Sequence, residues 1–71
     1  MNKAEFAKKL SAKTQLNEEQ AAQFIEAFGQ TLGDFFTQGE KVVIAEFGSF
    51  YVKDDKTVQF NPSAKLKELV G

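Results

Sequence analysis

The 71-residue chain has no cysteine, no histidine, no tryptophan and one proline. The missing Cys excludes a disulfide framework and thiolate sites, and the missing His excludes the commonest zinc ligand sets. Catalytic chemistry is left with carboxylates, lysines, hydroxyls and a single tyrosine. Asp54 and Asp55 are adjacent within a short polar stretch. They suit a turn better than an acid and base pair, and two carboxylates at an exposed tip leave most of a cation's ligand shell to water. No catalytic residue, metal site or cofactor is expected. Arginine is also absent: nine lysines face ten carboxylates, a net charge of -1. That balance predicts no strong long-range pull on nucleic acid. No apolar run is long enough to span a bilayer, and "MNKAEFAKKL" lacks the apolar core and cleavage pattern of a secretory signal, so no membrane partner and a cytoplasmic location are expected.

So short a chain is at most one domain, and it buries only about 60 per cent of the surface its unfolded form exposes. With no disulfide or metal staple, association between subunits is the remaining way to enlarge the core.

What is present is well patterned. Asn2 followed by Glu5 has the spacing of a capping box, so a first helix should start there and fade near Thr14. Phe6, Ala7 and Leu10 share one face of it, with most of the lysines pointing away. Asn17 and Gln20 repeat the device for a longer helix, in which Ala21, Ile25, Phe28, Leu32 and Phe35 recur at steps of four and three. Phe24 and Phe36 widen that seam beyond what one short helix can cover, which predicts a dimer. Gly39 supplies the stop. Gly29 and Gly33 interrupt the helix at about 1 kcal/mol each relative to Ala. They either make room for neighbouring Phe rings or let another backbone approach closely.

Beyond Gly39 the period changes. "KVVIA", "FYVK" and "TVQF" read as three strands, with "EFGS" as the bend between the first two. Asn61 is the expected cap and Pro62 the first-turn residue of a last helix, "PSAKLKELV", with Leu66, Leu69 and Val70 on its buried side. Parity fixes the second hairpin, because facing residues on paired antiparallel strands point to one side of the sheet. A loop of Asp54, Asp55 and Lys56 pairs Val52 with Val58 and Phe50 with Phe60, gathering four apolar side chains on one face. A two-residue loop would split them. The three-residue loop is therefore expected, although its last position usually prefers a left-handed Gly and here holds Lys56. The fold class is α+β: a helical hairpin over residues 1–38, a three-stranded antiparallel sheet over 40–60 and a C-terminal helix over 61–71, in a single domain 1–71.

This order, with "MNKAEFAKKL", "LNEEQAAQFIEAF", "QGEKVVIAEFGSFYVK" and "FNPSAKLKELV" inside it, resembles the HU and integration-host-factor family of small bacterial nucleoid proteins. The likeness covers essentially the whole chain, and "FGSF" is its most specific part. It implies an intertwined homodimer, or a heterodimer with a relative, whose core and interface would include Ile25, Phe28, Leu32, Phe47, Phe50 and Phe60. It also implies sequence-tolerant binding and bending of double-stranded DNA. In the family the second and third strands extend into a long basic ribbon that enters the minor groove and wedges a Pro between base steps. Here only "KDDKT" separates Val52 from Val58. Glu46 also stands where the family usually carries Gly, at a bend that lies close to phosphates in related complexes.

The residues left for phosphate contact are Lys3, Lys53, Lys56, Ser63 and Lys65, the last two at a helix start whose amides and dipole favour an anion. Each lysine has an ordinary alternative role as a solubilising charge. Two functions are expected from this set. One is weak DNA binding through the body of a dimer with little bending, in the nucleoid. The other is a dimerisation or protein-interaction module that has lost DNA binding and pairs with a full-length relative.

Overall fold

The computed structural model describes residues 1–71, as α1 (Lys3–Ala12), α2 (Glu18–Thr37), β1 (Val42–Ile44), β2 (Gly48–Val52), β3 (Val58–Pro62) and α3 (Ala64–Val70). Two compact units are formed, Met1–Thr31 and Leu32–Gly71, and α2 contributes to both.

In the first unit both helix starts follow from the cap residues. The Asn2 side chain accepts from the Glu5 amide at 2.9 Å, closing half of the capping box. At α2 the box is complete. The Gln20 amide donates to Asn17 Oδ1 at 2.8 Å and the Asn17 amide to Gln20 Oε1 at 3.0 Å, so two otherwise orphan donors are satisfied. Such a cap is worth about 1 kcal/mol. The chain's only buried apolar side chains, Ala7 and Ala21, belong to this unit. Ile25 and Phe28 are half-buried, Phe6 and Phe24 remain about half exposed, and the Phe24 and Phe28 rings lie 6.0 Å apart. A Cβ placed on Gly29 would meet nothing within 4 Å, and the same holds for Gly33 in the second unit. Neither glycine therefore makes room for a ring of its own chain.

The second unit begins with the end of α2. Gly39 takes φ 72°, and the Gly39 and Glu40 amides return to the carbonyls of Phe36 and Phe35 at 3.0 Å, the reciprocal pattern of a Schellman stop. The sheet has order β1-β2-β3, all antiparallel. Between β1 and β2, Val42 faces Phe50 and Ile44 faces Gly48. The turn closes with the Phe47 amide on the Ile44 carbonyl at 3.1 Å. Its third residue, Glu46, has φ 65°, the left-handed conformation that a type II turn normally reserves for Gly.

Between β2 and β3, Val52 faces Val58 and Phe50 faces Phe60, the register that parity requires. Lys53 bonds to Thr57 across the loop at 2.9 Å, the Lys56 amide closes the turn on the Lys53 carbonyl at 2.9 Å, and Lys56 takes the left-handed position at φ 70°. Phe47, Phe50 and Phe60 form one cluster, with centroids 4.7 to 5.9 Å apart. Gly48, at φ 151°, lies beneath it. A Cβ there would strike the Asn61 carbonyl oxygen and come within 2.7 Å of Phe60 Cε1.

The end of the sheet departs from the sequence expectation. Asn61 does not cap the last helix and Pro62 does not open it. Both belong to β3, opposite Ser49 and Gly48, and Ser63 is the cap, accepting from the Leu66 amide at 3.1 Å. The ladder explains the proline. Lys53 bonds to Thr57 and the Ser63 amide to the Phe47 carbonyl, so the Gly48–Pro62 pair falls between them at a position without exchanged bonds. The nitrogen of Pro62 then faces the open edge, where no donor is needed. The expected buried side of α3 is also reduced: Leu66 is half-buried, but Leu69 and Val70 are 78% and 90% exposed.

Candidate nucleic-acid interface

The cations expected to meet phosphate are placed in both units. In the first, Lys3 opens α1 and its Nζ donates to Glu26 Oε1 of α2 at 2.6 Å. The charge-assisted hydrogen bond, and then the Coulomb attraction of the ammonium, hold the Glu26 carboxyl below the usual carboxylate range. Lys3 is thus locally neutralised, although the pair is more than half exposed and open to exchange with another anion.

In the second unit the candidates fall at opposite ends of β2. Lys53 and Lys56 flank the tip, with Asp54 and Asp55 between them, so the tip carries no net charge. Bonding to Thr57, through its side chain first and then its backbone, lowers the pKa of Asp55; the Thr57 amide reaches Asp55 Oδ1 at 3.0 Å. The aspartate is a structural brace of the loop, kept ionised by the bond that holds it. At the other end, the Ser63 amide bonds to the Phe47 carbonyl at 3.0 Å and joins the β1–β2 turn to the start of α3. This brings Lys65 to Glu46, Nζ to Oε2 at 3.6 Å. The Ser63 hydroxyl oxygen accepts the cap bond, so its proton is what it could offer a phosphate.

One further group was not singled out by sequence reasoning. Lys41 Nζ lies 5.6 Å from the centroid of the Tyr51 ring, a cation–π contact worth about 0.5–1 kcal/mol at an exposed site. Tyr51 faces Gln59 across the ladder. Strand alternation therefore places Tyr51 and Gln59 on the face opposite Phe50 and Phe60. No carboxylate occurs in any of the three strands. The period-two alternation of the strands carries the signal for this polar face. Of the residues expected in a shared core, Phe47, Phe50 and Phe60 are brought together, whereas Ile25, Phe28 and Leu32 are half-buried along α2.

No group of three or more His, Cys, Asp or Glu side chains comes together to hold a metal ion. The model of the bacterial DNA-binding protein family matches residues 1–57. Integration host factor subunit alpha of Xanthomonas campestris is 33% identical over 89 residues, covering 99% of this chain and 90% of that protein. The corresponding subunit of Stenotrophomonas maltophilia matches to the same extent. Among solved structures, HU from Thermotoga maritima aligns over 100% of both chains with a TM-score of 0.82 and 30% identity. A mutant of that HU gives 0.87 and 31%. The chain therefore belongs to the HU and integration-host-factor family of bacterial DNA-binding proteins, and has its fold of three helices and a three-stranded antiparallel sheet. The family is one of histone-like, nucleoid-associated DNA-binding proteins and not of enzymes.

Proposed function

We propose that this chain acts as a dimer that holds double-stranded DNA weakly, with little regard to sequence and little bending, through the body of the dimer alone. The observation that carries the proposal is the three-residue tip. β2 and β3 are joined by Asp54, Asp55 and Lys56 in a closed turn, which leaves no ribbon to reach round a duplex. The match with the integration-host-factor subunit supports it, because it spans 89 residues where this chain has only 71. At least 18 positions of the relative then lack a counterpart here, and we place them at this tip. Without a wedge there is nothing to pay the unstacking cost of a sharp kink.

The dimer rests on burial. No Phe, Leu, Ile or Val is buried in the single chain, and four of the eight phenylalanines are exposed, at Phe6, Phe24, Phe35 and Phe47. Fully covering such a side chain contributes about 1.5–3 kcal/mol, so a second copy or a relative seated on the α2 seam at Ile25, Phe28 and Leu32 repairs the deficit. The phosphate contacts are assigned to Lys3, Lys53, Lys56, Ser63 and Lys65, with Lys41 added beside Tyr51. No helix is long and apolar enough to cross a membrane, and the place of action is taken to be the nucleoid in the cytoplasm.

The test is a fluorescence-anisotropy titration with a short duplex at low and moderate salt, alongside a size measurement of the free protein. A dimer is expected, bound at low salt with a log–log slope no steeper than about 9, the limit if all five assigned lysines of both chains neutralise a phosphate at about 0.9 each. A second function is favoured by the two lysines already paired with carboxylates, Lys3 with Glu26 and Lys65 with Glu46. It is a dimerisation module that withdraws a full-length relative from DNA. No binding at low salt, together with a mixed dimer seen by native mass spectrometry, would select it.

A further inference from the structure

Glu46 occupies a conformation that its side chain makes costly. Its φ of 65° is left-handed, a region where only Gly avoids the Cβ clash. A non-glycine residue held there prompts the question of what its side chain does. Its carboxylate is largely exposed and buries nothing, so packing does not explain it. Its one partner is Lys65, Nζ to Oε2 at 3.6 Å, with the lysine itself 60% exposed. Both members of the pair are fixed relative to each other by the backbone, because Phe47, next to Glu46, accepts from the amide of Ser63, two residues before Lys65.

We propose that Glu46 is an internal competitor of DNA phosphate: it holds the Lys65 ammonium in an exchangeable ion pair and thereby sets the affinity of this end of the sheet unit for polyanions. The inference rests on the proposed DNA-binding function. A duplex that engages Lys65 must first displace Glu46 and then lie beside the freed carboxylate, so the contact contributes less affinity and releases less condensed counterion than a free lysine would. The pair is solvated, so exchange is cheap and the effect is graded rather than an on-off switch.

The test compares five full-length proteins with a short duplex at several salt concentrations: the natural chain, Glu46→Gln, Glu68→Gln, Lys65→Gln and the double variant Glu46→Gln with Lys65→Gln. Glu68→Gln makes the same change in net charge on a glutamate that forms no ion pair, and so measures the non-specific gain. Glu46→Gln is expected to bind about twofold to fivefold more tightly than Glu68→Gln per chain, the range for an exposed pair. Its salt slope should steepen by up to about 0.9 per chain, the full counterion release of a Lys65 contact no longer opposed by a carboxylate. Both gains should disappear when Lys65 is also replaced.

Equal affinities for Glu46→Gln and Glu68→Gln, or a gain that survives loss of Lys65, overturns the proposal while leaving DNA binding standing. Failure of every protein to bind at low salt overturns both. Glu46→Gln keeps the Cβ and the backbone angle, so its fold is preserved, and equal melting temperatures check this. Glu46→Gly provides a second route to the same release of Lys65 and should match or exceed its gain.

Discussion

The two hairpin loops of the sheet unit are built alike and hold residues of opposite charge at their left-handed corners. Each has three residues, Ala45 to Phe47 and Asp54 to Lys56. Each closes a turn with one amide-to-carbonyl bond, and each places one non-glycine residue at positive φ. In the first that residue is Glu46, at the second position and paired with Lys65; in the second it is Lys56, at the last position. The first loop is backed by Gly48 and the Phe cluster and tied to α3 through Ser63, whereas the second projects free and is braced only by Asp55. The tolerance of a loop for a poor residue therefore depends on what else holds it. The packed loop has a strained corner because its neighbours fix it, and the free loop has one because parity of the flanking strands leaves no other register.

Four changes would break or sharpen this comparison. The largest effect is expected from Gly48→Ala, whose Cβ meets the Asn61 carbonyl and the Phe60 ring at a φ that L residues rarely adopt. A loss of about 3 kcal/mol should appear in urea unfolding, within the range for strain plus overpacking in one site. Next, Lys56→Gly should relieve the left-handed position and gain about 1 kcal/mol, which raises the melting temperature by roughly 4–8 °C for a domain of this size. A lower melting temperature would show that the Lys56 side chain holds the tip. Glu46→Gly should gain slightly less, since the same relief is offset by about a few tenths of a kcal/mol from a lost exposed ion pair.

The smallest effect is a pH response confined to the second loop. Bonding to Thr57 depresses the pKa of Asp55 in the folded state, so the brace contributes fully above the ordinary aspartate value. It is lost as pH falls through the lower, folded value. Protection of the Thr57 amide, measured against its intrinsic exchange rate at each pH, should fall only in that acidic range, and Asp55→Asn should remove the dependence while leaving the Ala45–Phe47 loop unchanged.

Much of the architecture was legible in the chain because it depends on neighbours. Asn2, Asn17 and Gln20 announce their helices through bonds three residues long. The alternation around Phe50 and Phe60 admits one economical loop. Asn61 and Pro62 are ambiguous in the sequence because the same pair serves equally as a helix start or as a strand end on an open edge. The choice depends on the ladder to Ser49 and Gly48, which local pattern does not contain. The candidate interface was less legible. Its lysines could be named, but Lys3 finds Glu26 at a separation of 23 residues and Lys65 finds Glu46 across the sheet unit.

Residue order alone settled the caps of the first two helices, the long apolar seam of α2, the register of the second hairpin and the family to which the chain belongs. These follow from short-range bonding, from the periods of helix and strand, and from a resemblance carried by contiguous motifs. Folding in three dimensions was needed to show that Glu46 sits in a left-handed corner, that Pro62 finishes a strand, and which lysines are already paired with a carboxylate. Backbone angles at a turn and the partners of a charge depend on groups brought together from distant parts of the chain.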